Sequence, residues 1–72
     1  MLNAKRNDFI YLALREIRKQ YPEIKLYFKE IEWFSDYTCR VTYIANRKVF
    51  YVNMIKSCYE PTVICHVTEY KE

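Results

Sequence analysis

The sequence predicts an α+β domain in which an N-terminal amphipathic helix packs on a four-stranded antiparallel β-meander, in the order α-β-β-β-β. Three observations lead there. Apolar residues recur at helical spacing only before Pro22. Beyond it the spacing drops to two in successive short runs separated by turn-forming residues. The connections between those runs are too short for a crossover, so consecutive strands have to pair antiparallel. At 72 residues the chain is read as one domain spanning residues 1–72.

The helix is expected from Asn7 to Gln20, where Phe9, Ile10, Ala13, Leu14 and Ile17 form one stripe and Asn7 with Asp8 supplies a cap and a first-turn carboxylate. Pro22 ends it, because its ring disfavours helical geometry at Tyr21 and brings no amide proton. A strand is expected to begin at Ile24, with Ile24, Leu26 and Phe28 alternating against Lys25, Tyr27 and Lys29. The apolar parity then slips to Ile31 and Trp33, and a slip of one residue without compensation would turn the core face to water. A β-bulge near Lys29 and Glu30 restores it.

Ser35 and Asp36 mark a turn, and Tyr37, Cys39, Val41, Tyr43 and Ala45 then alternate regularly with Thr38, Arg40, Thr42 and Ile44. The next turn falls at Asn46 to Lys48, with Asn46 the residue best suited to left-handed backbone. From Val49 to Lys56 both parities are apolar, as in a strand covered on both faces. Ser57 to Pro61 forms a further break, and Val63, Cys65 and Val67 alternate with Ile64, His66 and Thr68 in a final strand.

Composition restricts function. The chain has no glycine, so phosphate-cradling loops, dinucleotide turns and nucleophile elbows, which need backbone at positive φ or in close approach to a ligand, are excluded. Eight tyrosines, four phenylalanines and a tryptophan point instead to a binding surface, since such rings bring large contact area at low entropy cost. A domain of this length buries only about 60% of its unfolded surface, and self-association is the simplest further source of buried apolar area. A net charge of +3 tolerates a polyanionic partner without requiring one. No signal-like or membrane-spanning apolar run is visible, so a cytoplasmic protein without membrane contact is expected, in the host cytoplasm if the protein is viral. Cys39, Cys58 and Cys65 are odd in number and lack paired spacing, which argues for reduced thiols rather than a disulfide framework.

No catalytic constellation emerges, and no metal or cofactor is expected. His66 is the one histidine, and its neighbour Cys65 points to the opposite face of a strand, so the two do not meet at one reacting atom. A zinc site from Cys39, Cys58 and His66 would lack the clustered ligand spacing of structural zinc. Glu30 and Glu32 share one strand face without the partners that acid–base chemistry needs.

Two surfaces remain. A helical projection places Tyr11 and Leu12 away from the core stripe among Lys5, Asp8, Arg15, Arg18 and Lys19, a small apolar centre with a charged rim. The sheet face turned from the helix should carry Lys25, Tyr27, Lys29, Arg40, Tyr51 and His66 together with Thr42, Ile44, Ile55 and Ile64. Its aliphatic share favours a protein partner, most simply a second copy in a homodimer, whereas its aromatic and basic members are what single-stranded nucleic acid would use. The expectation is a small non-catalytic protein-binding module, an inhibitor or adaptor of the kind phage and viral genes encode, that occludes a surface on a larger protein. The alternative is a single-stranded nucleic-acid-binding protein. The order of elements resembles that of the cystatins, and its opening helix and three strands resemble the start of double-stranded RNA-binding domains. The glycine-containing inhibitory loop of the former and the terminal basic helix of the latter have no counterpart, so neither resemblance carries residues over.

Overall fold

A computed structural model describes residues 2–56 and 63–71, with side chains from residue 6 onward. One helix, α1 (Leu2–Gln20), is followed by strands β1 (Tyr27–Trp33), β2 (Thr38–Ala45), β3 (Lys48–Lys56) and β4 (Val63–Lys71). They form a single antiparallel sheet in the order β1-β2-β3-β4, so the α-β-β-β-β meander read from the sequence is the observed fold.

The helix is longer than expected. It begins at Leu2 and not at Asn7, so Asn7 and Asp8 lie inside it and the first turn carries no acidic residue. Alanine, leucine, lysine and arginine are strong helix formers, and their concentration between residues 2 and 6 outweighs the capping preference of Asn7 and Asp8. The far end is as expected: Tyr21 N–H closes the last turn on Ile17 O at 2.9 Å, and Pro22 follows.

Phe9, Ala13 and Ile17 of α1 are buried against Cys39, Val41, Tyr43 and Ala45 of β2 and Phe50, Val52 and Met54 of β3. The helix crosses β2, β3 and β4. Tyr43 O–H donates to the Ile10 carbonyl at 2.9 Å, which ties the sheet to the helix backbone. Phe9 meets Trp33 edge-on at 5.2 Å and Phe28 meets Tyr43 at 5.9 Å, extending the core under β1.

β1 begins at Tyr27 and not at Ile24. Ile24 and Leu26 still pack on the core, which explains their alternation, but they do so from the connection after Pro22 without ladder pairing. The bulge is where the parity slip demanded it: Phe28 pairs with Tyr43 and Glu30 with Thr42, leaving Lys29 out of register. Ile31 and Trp33 thereby return to the helix side.

The β1–β2 turn is organised by Ser35, whose Oγ accepts N–H groups from Tyr37 and Thr38, both at 3.1 Å, and a side-chain cap of this kind needs no glycine. At the β2–β3 turn the left-handed residue is Arg47, with φ of 57°, in place of the expected Asn46. Both lie between the closing pair Ala45 and Lys48, and positive φ falls on the second loop residue and not on the first. The expected break at Ser57 to Pro61 lies outside the described residues. β4 continues to Lys71, beyond the Thr68 at which its alternation ends in sequence.

Beyond the helix C-terminus, a polar group closes the core. Tyr21 packs on Phe50 with ring centroids 5.1 Å apart, and its hydroxyl donates to the Glu69 carboxylate, which also pairs with Lys48 at 3.1 Å. The Tyr21 hydrogen bond and then Lys48 hold the Glu69 pKa below its ordinary value, while the same bond raises that of Tyr21.

Candidate functional site

Strand alternation fixes which side chains share the face opposite the helix. The register places Tyr27 beside Ile44, Arg40 between Glu32 and Asn53, Tyr51 between Thr42 and Thr68, His66 beside Asn53, Val49 beside Tyr70, and Ile55 between Thr38 and Ile64. No element among the described residues packs over this face. β3 is therefore covered by the helix on one side only: Phe50, Val52 and Met54 are buried, whereas Ile55 is 53% exposed. The two-sided apolar pattern of β3 is correct as sequence, but in the single chain its second face lies open.

Arg40 organises this face. Its Nη2 donates to Glu32 Oε1 at 2.9 Å, and its guanidinium lies 5.1 Å from the Tyr51 ring centroid and 5.5 Å from that of Phe34. The hydrogen bond to Glu32 raises its pKa, so the side chain stays cationic while two rings flank it. Its Nε is enclosed with no hydrogen-bond partner among the described residues. Tyr51 in turn meets Tyr70 edge-on at 5.4 Å. A shallow concavity of about 510 Å³ is lined by Arg40, Val49, Tyr51, Asn53, Thr68, Tyr70 and Lys71. Tyr27, Phe34, Ile55, Ile64 and Tyr70 are all largely exposed, with Tyr27 beside Ile44 at one end of the sheet and Ile55 beside Ile64 at the other. Thr42, beneath Tyr51, is buried.

Of the residues assigned to this face from sequence, Tyr27, Arg40, Tyr51 and His66 lie on it. Lys25 does not. It precedes β1 and lines a separate recess with Glu23, Ile24, Tyr27 and Asn46. Lys29 is exposed at the bulge, outside the paired register. Phe34, Tyr70 and Lys71 were not anticipated. Ending the last strand at Thr68 cut off the parity that leads to Tyr70, and nothing in the local pattern places a turn residue such as Phe34 against Arg40.

On the helix, Tyr11 is 64% exposed and Arg15, Arg18 and Lys19 are exposed with it. Leu12 departs from the expectation: it is half-buried and packs against the core. It lies at the edge of the apolar stripe, from which a leucine reaches the sheet. The basic surface around Tyr11 therefore lacks a second apolar residue, and Lys19 is engaged with Glu16 at 2.9 Å.

Cys65 and His66 occupy opposite faces, paired respectively with Met54 and Asn53. Burial raises the Cys65 thiol pKa, with Glu16 adding to the effect. Cys58 lies outside the described residues, and with it the pairings considered for it. Among the described residues no three His, Cys, Asp or Glu side chains converge on a common point, and no helix is long and apolar enough to cross a membrane. Comparison with family models, with curated proteins and with solved structures found no match.

Proposed function

We propose that this chain is a non-catalytic protein-binding module whose contact surface is the open face of the sheet. The observation that supports this reading is the set of large apolar side chains left exposed along this face, Tyr27, Ile55, Ile64 and Tyr70, with Phe34 and Tyr51 flanking Arg40 between its two ends. Aromatic rings and arginine are the residues enriched at interface centres. The helix face is the weaker candidate, because Leu12 turns inward and leaves Tyr11 as a single exposed ring among the charged side chains of Asp8, Arg15 and Arg18. On the sheet-face reading the chain acts as an inhibitor or adaptor, of the kind phage and viral genes encode, by occluding a partner surface.

Single-stranded nucleic acid is the less favoured ligand of this face. Lys25 is elsewhere, Arg40 is paired with Glu32, and Glu30 lies on the same face at the Thr42 position, so of the cations that line the concavity beside Tyr51 and Tyr70 only Lys71 is not paired, among the described residues, with a carboxylate across this face.

The test is affinity capture from cells of the source organism, followed by direct titration of the recovered protein. Ile55→Glu combined with Tyr27→Ser, two exposed positions, should abolish binding with the circular dichroism spectrum unchanged. Tyr11→Ala combined with Arg15→Ala should leave it intact. The opposite pattern would transfer the function to the helix. Salt-sensitive binding to single-stranded homopolymers at about 50 mM salt, lost on replacing Tyr27 and Tyr51, would establish the nucleic-acid reading instead.

A further inference from the structure

Among the described residues the sheet has two unpaired edges, β1 and β4, and they differ. Along β1 the ladder is broken at Lys29, and Lys29, Glu30 and Glu32 bring charge to that edge, the usual protection against strand addition. β4 runs nine residues from Val63 to Lys71 with unbroken register against β3, no bulge and no proline.

The ladder determines which backbone groups of β4 face away from β3. Lys56 N–H donates to Tyr37 O at 2.8 Å, so these two residues face each other as a hydrogen-bonded pair. Bonded and non-bonded pairs alternate in an antiparallel ladder. The even-numbered residues of β3 therefore direct their N–H and C=O groups to β2, and Val49, Tyr51, Asn53 and Ile55 direct theirs to β4, where they meet Tyr70, Thr68, His66 and Ile64. Val63, Cys65, Val67, Glu69 and Lys71 direct their backbone donors and acceptors away from β3, toward an edge that no strand among the described residues pairs with. The side chains of Val63, Cys65 and Val67 are only half-buried, whereas Val41 and Val52 in the central strands are fully buried.

We propose that β4 pairs with β4 of a second copy about a two-fold axis at Val67, joining two sheets into one of eight strands. Val67 is the midpoint of Val63–Lys71, so this register uses the whole strand. Every outward residue meets an outward residue: Val67 faces its own copy, Cys65 faces Glu69, and Val63 faces Lys71. No like charges stand opposite each other. On the open face the register sets Ile64, 63% exposed, against Tyr70, 56% exposed, twice by symmetry. On the helix side the second strand covers Val63, Cys65 and Val67. A self-complementary strand of this kind suits a second copy, because a two-fold interface requires each contact to be made twice by the same surface. Both open faces remain uncovered and become continuous, so the pairing does not depend on the function proposed for that face.

The experiment is sedimentation velocity and amide hydrogen exchange on the same wild-type sample at NMR concentration, with Val67→Pro alongside. The wild-type protein should sediment as a dimer, with the amides of Cys65, Val67 and Glu69 as protected as those of His66 and Thr68. Val67→Pro removes an N–H that has no ladder partner among the described residues, a position where an edge strand tolerates proline, and should give a folded monomer. A monomeric wild-type protein overturns the proposal. So does a dimer in which the amides of Cys65, Val67 and Glu69 exchange freely, or a Val67→Pro variant that remains dimeric. Should Val67→Pro fail to fold, the exchange pattern of the wild-type protein decides alone. Ile55→Glu, on β3 and away from the edge, should leave the mass at that of the dimer whatever it does to partner binding.

Discussion

Replacing Ile17 by alanine tests whether the helix is held by the stripe seen in its sequence. Ile17 is fully buried, in a cluster with Phe9, Ala13, Val41, Phe50 and Val52. The substitution removes three carbon atoms, at about 0.8 kcal/mol each about 2.4 kcal/mol of transfer energy, and the cavity left behind brings the expected cost to about 2–5 kcal/mol. A domain of 72 residues at about 0.05–0.15 kcal/mol per residue has only about 4–11 kcal/mol in all. Ile17→Ala should therefore remove a large fraction of the stability. At about 4–8 °C per kcal/mol for a domain of this size, a loss of 3 kcal/mol lowers Tm by about 12–24 °C. Urea denaturation followed by circular dichroism reads the change directly, with Tyr11→Ala, an exposed position on the same helix, as control within about 0.5 kcal/mol. A loss below about 1 kcal/mol at Ile17, or equal losses at Ile17 and Tyr11, would refute the reasoning, since the helix would then not be docked through this stripe.

Tyr43→Phe should cost about 0.5–1.5 kcal/mol in the same assay, because the lost hydroxyl bonds the Ile10 carbonyl, which keeps its place in the helical ladder; a loss above about 3 kcal/mol would mean the hydroxyl does more than tie helix to sheet. The lowered Glu69 pKa stabilises the fold above the ordinary carboxylate value near 4.5, and this contribution is lost as pH falls through the lowered folded value. Glu69→Gln should thus flatten the acid limb of the stability profile, and an unchanged limb would show that Tyr21 and Lys48 do not hold the carboxylate. The Cys65 thiol, with its pKa raised above 9.0 by burial, should alkylate slowly at neutral pH, at a rate still rising beyond pH 9; a plateau near pH 8 would contradict the burial.

Much of the fold was legible because its signals are local. The period of apolar residues changes at Pro22, and the parity slip between Phe28 and Ile31 locates the bulge, since only an inserted residue returns Ile31 and Trp33 to the core side. The errors fell where propensity and tertiary context compete. Asn7 and Asp8 have the chemistry of a cap but sit in a run of helix formers. Ile24 and Leu26 alternate like a strand because they touch the core, yet Lys25 between them pairs with nothing, so its assignment to the sheet face failed.

Alternation along each strand by itself determined the two faces of this sheet and most of the residues on the open one, because side-chain direction in a strand depends only on sequence parity. Only the tertiary structure decided what those residues do to each other. Arg40 is flanked by Tyr51 and Phe34 because a strand and a turn distant in sequence are brought together, and it is paired with Glu32 because the bulge sets β1 in that register. Leu12 turns inward because helix placement over β2, β3 and β4 fixes where the boundary of the stripe falls. The outward-directed backbone groups of β4 likewise depend on strand order, which leaves one regular strand at an edge among the described residues. Parity is a property of the chain, whereas contact and edge position arise only when separate segments share a place in space.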